Sequence, residues 1–117
     1  MPRILLVDDL PEFVETEKAY LNEYDSSFDI ETLSDPGETM PMLEKKEFDV
    51  IILDIMMPRI DGLQLLKQIR KKYDTPVIIY SAYVHLYPPS ELLDQGANYV
   101  VSKPSNMEFL ISRIRDL

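Results

Sequence analysis

Four short runs of apolar residues, rich in β-branched side chains, stand out along the chain at positions 4–7, 50–53, 77–80 and 99–101. Each run is nearly continuous in apolarity, which is typical of strands buried on both faces of a parallel sheet. A fifth run, at positions 28–33, alternates apolar and polar residues at its start. This alternation predicts a strand near the edge of the sheet, with one face more exposed to water.

The stretches between these runs have the apolar spacing of helices. Each opens on a start signal, namely Pro11, Pro36, Gly62, Pro88 or a capping box at positions 105–108. Pro41 lies inside the second helical stretch, which predicts a short or irregular helix. The fourth stretch contains Pro88 and Pro89 and ends at Gly96, so we expect a short helix there as well.

Strands and helices therefore alternate five times, which predicts an α/β fold. Such an order gives a parallel sheet with helices on both faces, joined by right-handed crossovers. At 117 residues, without a repeat or a linker-like segment, the chain is predicted to form a single domain over positions 1–117. Ligands of such sheets bind at the carboxyl ends of the strands.

Polar residues follow each of the buried strands. Asp8 and Asp9 come after the first, Asp54 after the third, Ser81 after the fourth and Lys103 after the last. Taken one at a time, these residues could cap a turn or lie in water. Because the carboxyl ends of parallel strands meet at one edge, we interpret them together as a site.

Three carboxylates in one crevice would repel one another unless a divalent cation offset their charge. Oxygen ligands without His or Cys favour Mg²⁺ or Ca²⁺, and a site with few carboxylates leaves positions for water and phosphate oxygens, as Mg²⁺ prefers. A carboxylate beside Mg²⁺ and a lysine can act as the nucleophile in phosphoryl transfer. We predict Asp54 as this nucleophile, with Ser81 donating a hydrogen bond to the phosphoryl group.

Net charge, cysteine content and the first apolar run restrict the possible partners and the cellular compartment. Twelve Lys and Arg residues against 21 Asp and Glu give a net charge of −9, which disfavours nucleic acids and anionic membranes. The chain has no cysteine, which excludes disulfides and thiolate metal sites. The apolar run near the start is too short for a signal peptide or a membrane span, so we expect a cytoplasmic protein.

Several motifs resemble those of one family. They are Ile4-Leu5-Leu6-Val7-Asp8-Asp9, Asp54 with Met57-Pro58-Arg59-Ile60-Asp61-Gly62-Leu63, Ser81-Ala82, Gly96-Ala97 and Lys103-Pro104. Along essentially its whole length, the chain resembles the receiver domains of bacterial two-component response regulators. The resemblance implies a doubly wound, five-stranded parallel sheet in the order 2-1-3-4-5, with five helices in a three-layer α/β/α sandwich.

The resemblance also implies the roles of the site residues. Asp54 would be the phosphorylated residue and Lys103 would pair with its phosphoryl group. Asp9 would bind Mg²⁺ directly, and Asp8 would hold the metal or its water. The backbone carbonyl of Met56 would be a further ligand.

A second group of residues concerns switching. By resemblance, Ser81 is a hydroxyl that moves toward the phosphate, Ala82 leaves access to it, and Pro104 follows a cis peptide bond. Family members usually have an aromatic residue three positions before the lysine, where this chain has Val100. Tyr99 is one place too early, so we expect it to pack under a helix on the opposite face of the sheet.

These observations lead to one functional hypothesis and one alternative. The hypothesis is a signalling switch, not a conventional enzyme, that promotes its own phosphorylation and dephosphorylation at Asp54. Its partners would be a sensor histidine kinase or phosphotransfer protein and an output protein or effector domain, with a homodimer left open. The alternative is a pseudo-receiver that binds proteins without being phosphorylated. An aspartyl phosphatase is disfavoured, because it needs a second acid where Met56 stands.

Overall fold

The computed structural model describes residues 2–55, 61–81, 88–103 and 107–117. Strands and helices alternate along them. The strands are β1 (Arg3–Val7), β2 (Asp29–Leu33), β3 (Val50–Leu53), β4 (Val77–Ser81) and β5 (Tyr99–Ser102). The helices are α1 (Pro11–Tyr24), α2 (Thr39–Lys45), α3 (Gly62–Lys72), α4 (Pro89–Asp94) and α5 (Met107–Arg115), and a 3₁₀ turn (Pro36–Glu38) leads into α2.

The five strands form one parallel sheet in the order β2-β1-β3-β4-β5. The predicted fold class and strand order are therefore confirmed. β3 is buried at all four positions and lies between β1 and β4. β2 lies at one edge and is only partly buried over its second half, as the alternating pattern predicts.

Two hydrophobic clusters cover the two faces of the sheet. Leu5 and Val7 of β1 belong to the cluster that contains residues of α2, α3 and α4. Ile4 and Leu6 belong to the cluster that contains residues of α1 and α5. Successive side chains of a strand point to opposite faces, so an uninterrupted apolar strand supplies both clusters. The result is the predicted three-layer arrangement.

Prolines determine where several helices begin and how long they are. Pro11 is the first residue of α1, where its missing N–H costs no helical hydrogen bond. Pro41 lies in the first turn of α2, which has only seven residues. α4 begins at Pro89 and has six residues, so the predicted short second and fourth helices are confirmed. None of the helices in the described part of the chain is long and apolar enough to cross a membrane.

Candidate functional site

The ends of β1 and β3 bring Asp8 and Asp54 to the same edge of the sheet. Val7 pairs with Leu53 in the register of these strands, and the backbone N–H of Asp54 donates to the Val7 carbonyl at 3.1 Å. Asp8 directly follows Val7 and Asp54 directly follows Leu53, so the register of the two strands places both aspartates side by side. The side chain of Asp8 is 2% exposed and that of Asp54 is 13% exposed.

Lys103 follows β5 and reaches across to these carboxylates. Its backbone N–H donates to the carbonyl of Ser81 at 2.9 Å, which fixes the start of the side chain beside the end of β4. The Nζ atom lies 3.2 Å from Oδ2 of Asp8 and 3.7 Å from Oδ2 of Asp54. It also lies 5.0 Å from the centre of the Tyr80 ring, a distance at which a cation–π attraction operates. The predicted convergence of Asp8, Asp54 and Lys103 is therefore present.

A fourth charged residue, Glu17 of α1, belongs to the same cluster. Its Oε1 atom lies 2.8 Å from Nζ of Lys103, a shorter distance than those to Asp8 and Asp54. This role of Glu17 was not predicted from the sequence. A signal was present, because Glu17 lies three residues after Val14 and four before Leu21, both of which are buried on α1. An acidic residue within such an apolar stripe indicates an interior partner.

Burial and charge act together on the two closest partners. Burial favours the neutral form of Lys103, but the hydrogen bond and charge of Glu17, with the charges of Asp8 and Asp54, outweigh it and raise the Lys103 pKa. Burial raises the pKa of Glu17, and the repulsion of Asp8 and Asp54 adds to it, while Lys103 opposes the rise. Lys103 is therefore a firmly held cation among competing carboxylates.

Among the described residues, the site carries more negative than positive charge. Asp8, Glu17 and Asp54 surround the ammonium group of Lys103, and Asp9 lies half-buried beside Asp8. Among residues 2–55, 61–81, 88–103 and 107–117, no three Asp, Glu or His side chains are arranged to hold a metal ion together. Oxygen donors with an excess of negative charge nevertheless fit Mg²⁺, which binds one or two carboxylates and keeps several waters.

Asp8 has a second, structural role at this edge. Its Oδ1 atom accepts a hydrogen bond from the backbone N–H of Leu10, directly before α1. Asp8 therefore caps a turn, as its position after β1 allows, and also contacts Lys103. One carboxylate can fill both roles because each of its oxygens has its own partner.

Gly62 supports the loop that carries Asp54. It is the first residue of α3, and its N–H donates to the carbonyl of Ile55 at 3.0 Å. A Cβ atom added at Gly62 would lie 2.5 Å from the Ile55 Cα and 2.7 Å from the Asp54 carbonyl oxygen. The helix can approach the Asp54 backbone this closely only because position 62 has no side chain.

The residues predicted to take part in switching lie at the ends of β4 and β5. Ser81 is the last residue of β4 and is fully buried. Val100 packs against the cluster on the α3 and α4 side, whereas Tyr99 packs against the cluster on the α1 and α5 side. The Arg113 guanidinium of α5 lies 5.1 Å from the Tyr99 ring. Tyr99 thus packs under a helix on the opposite face from Val100, as predicted. Three further predicted site residues, Met56, Ala82 and Pro104, lie outside the described residues.

The strand order and the meeting of Asp8, Asp54 and Lys103 at the carboxyl edge of the sheet are those expected of a receiver domain. The sequence profile of the response regulator receiver domain matches residues 4–115, and the chain belongs to this family. This match confirms the prediction that the chain is a receiver domain of a two-component system. The comparisons give no support to the pseudo-receiver alternative.

Similar proteins extend this result. The chain is 40% identical over 121 aligned residues to the response regulator ArlR of Staphylococcus saprophyticus, covering 98% of this chain and 51% of that protein. It is 36% identical to ArlR of Staphylococcus epidermidis, with 98% and 52% covered. The chain thus spans about half the length of these relatives.

Solved structures show the same fold. The receiver domain of the Francisella response regulator 1452 is 32% identical, with a TM-score of 0.89 and coverage of 99% of this chain and 95% of that one. The response regulator TrrA of Thermotoga maritima is 35% identical, with a TM-score of 0.86 and coverage of 99% and 98%. TrrA was solved in complex with Mg²⁺ and beryllofluoride.

Proposed function

We propose that this receiver domain, folding as one unit over residues 1–117, is a switch in which Asp54 accepts a phosphoryl group. The observation that carries this proposal is the Lys103 ammonium, 3.7 Å from Oδ2 of a largely buried Asp54 at the carboxyl edge of the sheet. The donor is a sensor histidine kinase or a histidine phosphotransfer protein, as in the family. The reaction takes place in the cytoplasm.

The chemistry is an in-line displacement at phosphorus. A carboxylate oxygen of Asp54 forms a bond to the phosphorus atom as the bond to the donor imidazole nitrogen breaks, and that nitrogen keeps the electron pair. The product is an acyl phosphate on Asp54. Lys103 offsets charge on the transferring oxygens, and the fixed ends of β3 and β5 keep its side chain within reach of them. Hydrolysis of the acyl phosphate in the same site resets the switch.

Mg²⁺ would be held by Asp9 and Asp54, with Asp8 holding the metal or its water and the carbonyl of Met56 as a further ligand. When bound, it supplies positive charge to the phosphoryl oxygens. The support for this assignment is the donor set itself, which contains hard oxygen ligands and a surplus of negative charge. The Mg²⁺ and beryllofluoride in the TrrA structure are consistent with it.

The output is a change in protein binding. A phosphoryl group at Asp54 adds charge and acceptor oxygens next to β4, where the hydroxyl of Ser81 can donate to them. The shift involves α4 and β5, and Val100 of β5 stands where family members usually have an aromatic residue. By the family resemblance, Ala82 would leave access to the phosphoryl group. The shift is read by an output protein, an effector domain or a second copy of this chain. Such a shift requires that the phosphoryl group stabilise one of the two conformations more than the other.

Intact-mass analysis after incubation with acetyl phosphate and Mg²⁺ tests the proposal. We expect one phosphoryl adduct, lost on chelation of Mg²⁺ and in Asp54→Asn. Asp49→Asn is the matched control, because Asp49 is exposed at the opposite end of the same strand and its variant should retain the adduct. An adduct that forms equally well in Asp54→Asn, or no adduct in the unchanged protein, would contradict the proposal.

A further inference from the structure

Among the described acidic residues, Glu17 rather than Asp54 lies closest to the Lys103 ammonium. The Nζ atom lies 2.8 Å from Oε1 of Glu17 and 3.7 Å from Oδ2 of Asp54. The side chain of Glu17 is only 12% exposed and that of Lys103 is 18% exposed. Water therefore screens this contact weakly, and the two groups attract each other more strongly than a surface pair.

The position of Glu17 on its helix makes the contact durable. Val14 and Leu21, on the same face of α1, are buried against the sheet and fix the rotation of the helix. The carboxylate is therefore aimed at the lysine by packing that does not depend on the pair itself. Lys103 is fixed independently by its backbone hydrogen bond to Ser81.

Phosphorylation of Asp54 would change the group that the Lys103 ammonium contacts. An aspartyl phosphate carries more negative charge than the carboxylate it replaces, and the ammonium must turn toward it. While Glu17 remains charged, it both attracts the ammonium away from Asp54 and repels the new phosphoryl oxygens.

We infer that Glu17 is a positioning residue that competes with the phosphoryl group for Lys103. It holds the ammonium on the α1 side in the unphosphorylated protein and disfavours the phosphorylated state. This inference rests on the proposed phosphorylation of Asp54. Through Glu17, α1 helps to determine how favourable phosphorylation of Asp54 is.

Beryllofluoride, which imitates the phosphoryl group, measures this competition by ¹⁹F NMR in the presence of Mg²⁺. Glu17→Gln keeps an oxygen that accepts from Lys103 but removes the charge, so we expect beryllofluoride to bind about fivefold more tightly. Glu17→Asp keeps the charge and should not show this gain. Glu23→Gln is the matched control, since Glu23 is exposed on the same helix about 9 Å further along.

A second readout needs neither Mg²⁺ nor beryllofluoride. The ¹³Cε resonance of Lys103, assigned by its loss in Lys103→Arg, should shift in Glu17→Gln and stay in place in Glu23→Gln. A purely structural role for Glu17 would lower the melting temperature without tightening beryllofluoride binding.

The outcomes separate this inference from the function it rests on. If the unchanged protein binds beryllofluoride and Glu17→Gln binds it equally or more weakly, the competition is refuted and the proposed function stands. If the unchanged protein does not bind beryllofluoride with Mg²⁺ present, the proposed function is contradicted and the competition with it.

Discussion

Replacing Arg70 with alanine should destabilise the fold by removing a link between α3 and the start of β5. The guanidinium donates four hydrogen bonds: to the carbonyls of Gly96 at 2.8 Å, Tyr73 at 3.1 Å and Thr75 at 2.7 Å, and to Oδ1 of Asn98 at 3.1 Å. One side chain thus fixes the end of α3, the loop before β4 and the turn before β5.

The magnitude follows from the number of hydrogen bonds and their exposure. Hydrogen bonds that involve a charged group contribute about 1.5–3 kcal/mol each when buried. The half-buried position of Arg70 lowers each contribution to about 0.5–1 kcal/mol, because water can replace part of what is lost. We expect Arg70→Ala to lower the free energy of unfolding by about 2–3 kcal/mol. For a domain of this size, the corresponding fall in melting temperature is roughly 10 °C.

Urea denaturation followed by circular dichroism checks this value. Arg70→Lys keeps the charge but lacks the planar fork that reaches several carbonyls, so its loss should be intermediate. Lys71→Ala is the control, because Lys71 is exposed in the same helical turn and should change stability by about 0.5 kcal/mol or less. An Arg70→Ala protein within about 1 kcal/mol of the unchanged protein would refute the reasoning.

Three other predictions each concern the contacts of one residue. Gly62→Ala should lower stability by about 2 kcal/mol in urea melts, because its Cβ would lie 2.5 Å from the Ile55 backbone; unchanged stability would contradict this close approach. Hydrogen bonds from Ser27 and Arg115 lower the pKa of Asp25 from 3.8 to about 2. A lowered carboxyl pKa stabilises the fold above the unfolded value, so the stability lost in Asp25→Asn should shrink as the pH falls from about 4 toward 2; a constant loss would contradict the shift. Lys103→Met should slow phosphorylation by acetyl phosphate about 10- to 100-fold in a mass-spectrometric time course, and an unchanged rate would exclude Lys103 from the reaction.

The sheet and its edge could be predicted because the strands are apolar on both faces. A run such as that of β3 has few alternatives to a central parallel strand, and the residue after it must emerge at the carboxyl edge. Asp8, Asp54 and Lys103 were therefore found together without knowledge of the packing. The positions of Tyr99 and Val100 followed from the two-residue period of a strand.

Glu17 shows what the sequence left undetermined. The rotation of α1 about its axis depends on how Val14 and Leu21 pack against the sheet. Phe13 and Tyr20 are apolar but exposed on the same helix, so the apolar pattern of the sequence did not define which face is buried. Which of the acids of α1 would face Lys103 could not be chosen without that rotation. Helix orientation is a tertiary property, whereas the exit of a strand is a local one.

Borohydride reduction of the phosphorylated protein, followed by peptide mapping, identifies the residue that carries the phosphoryl group. Borohydride converts an aspartyl phosphate to homoserine and leaves unmodified carboxylates unchanged. We expect homoserine at position 54 alone, formed only when Mg²⁺ was present during phosphorylation. Homoserine at Asp8 or Asp9, or none at any acid of a protein that carries the phosphoryl adduct, would contradict the assignment of Asp54 as the acceptor.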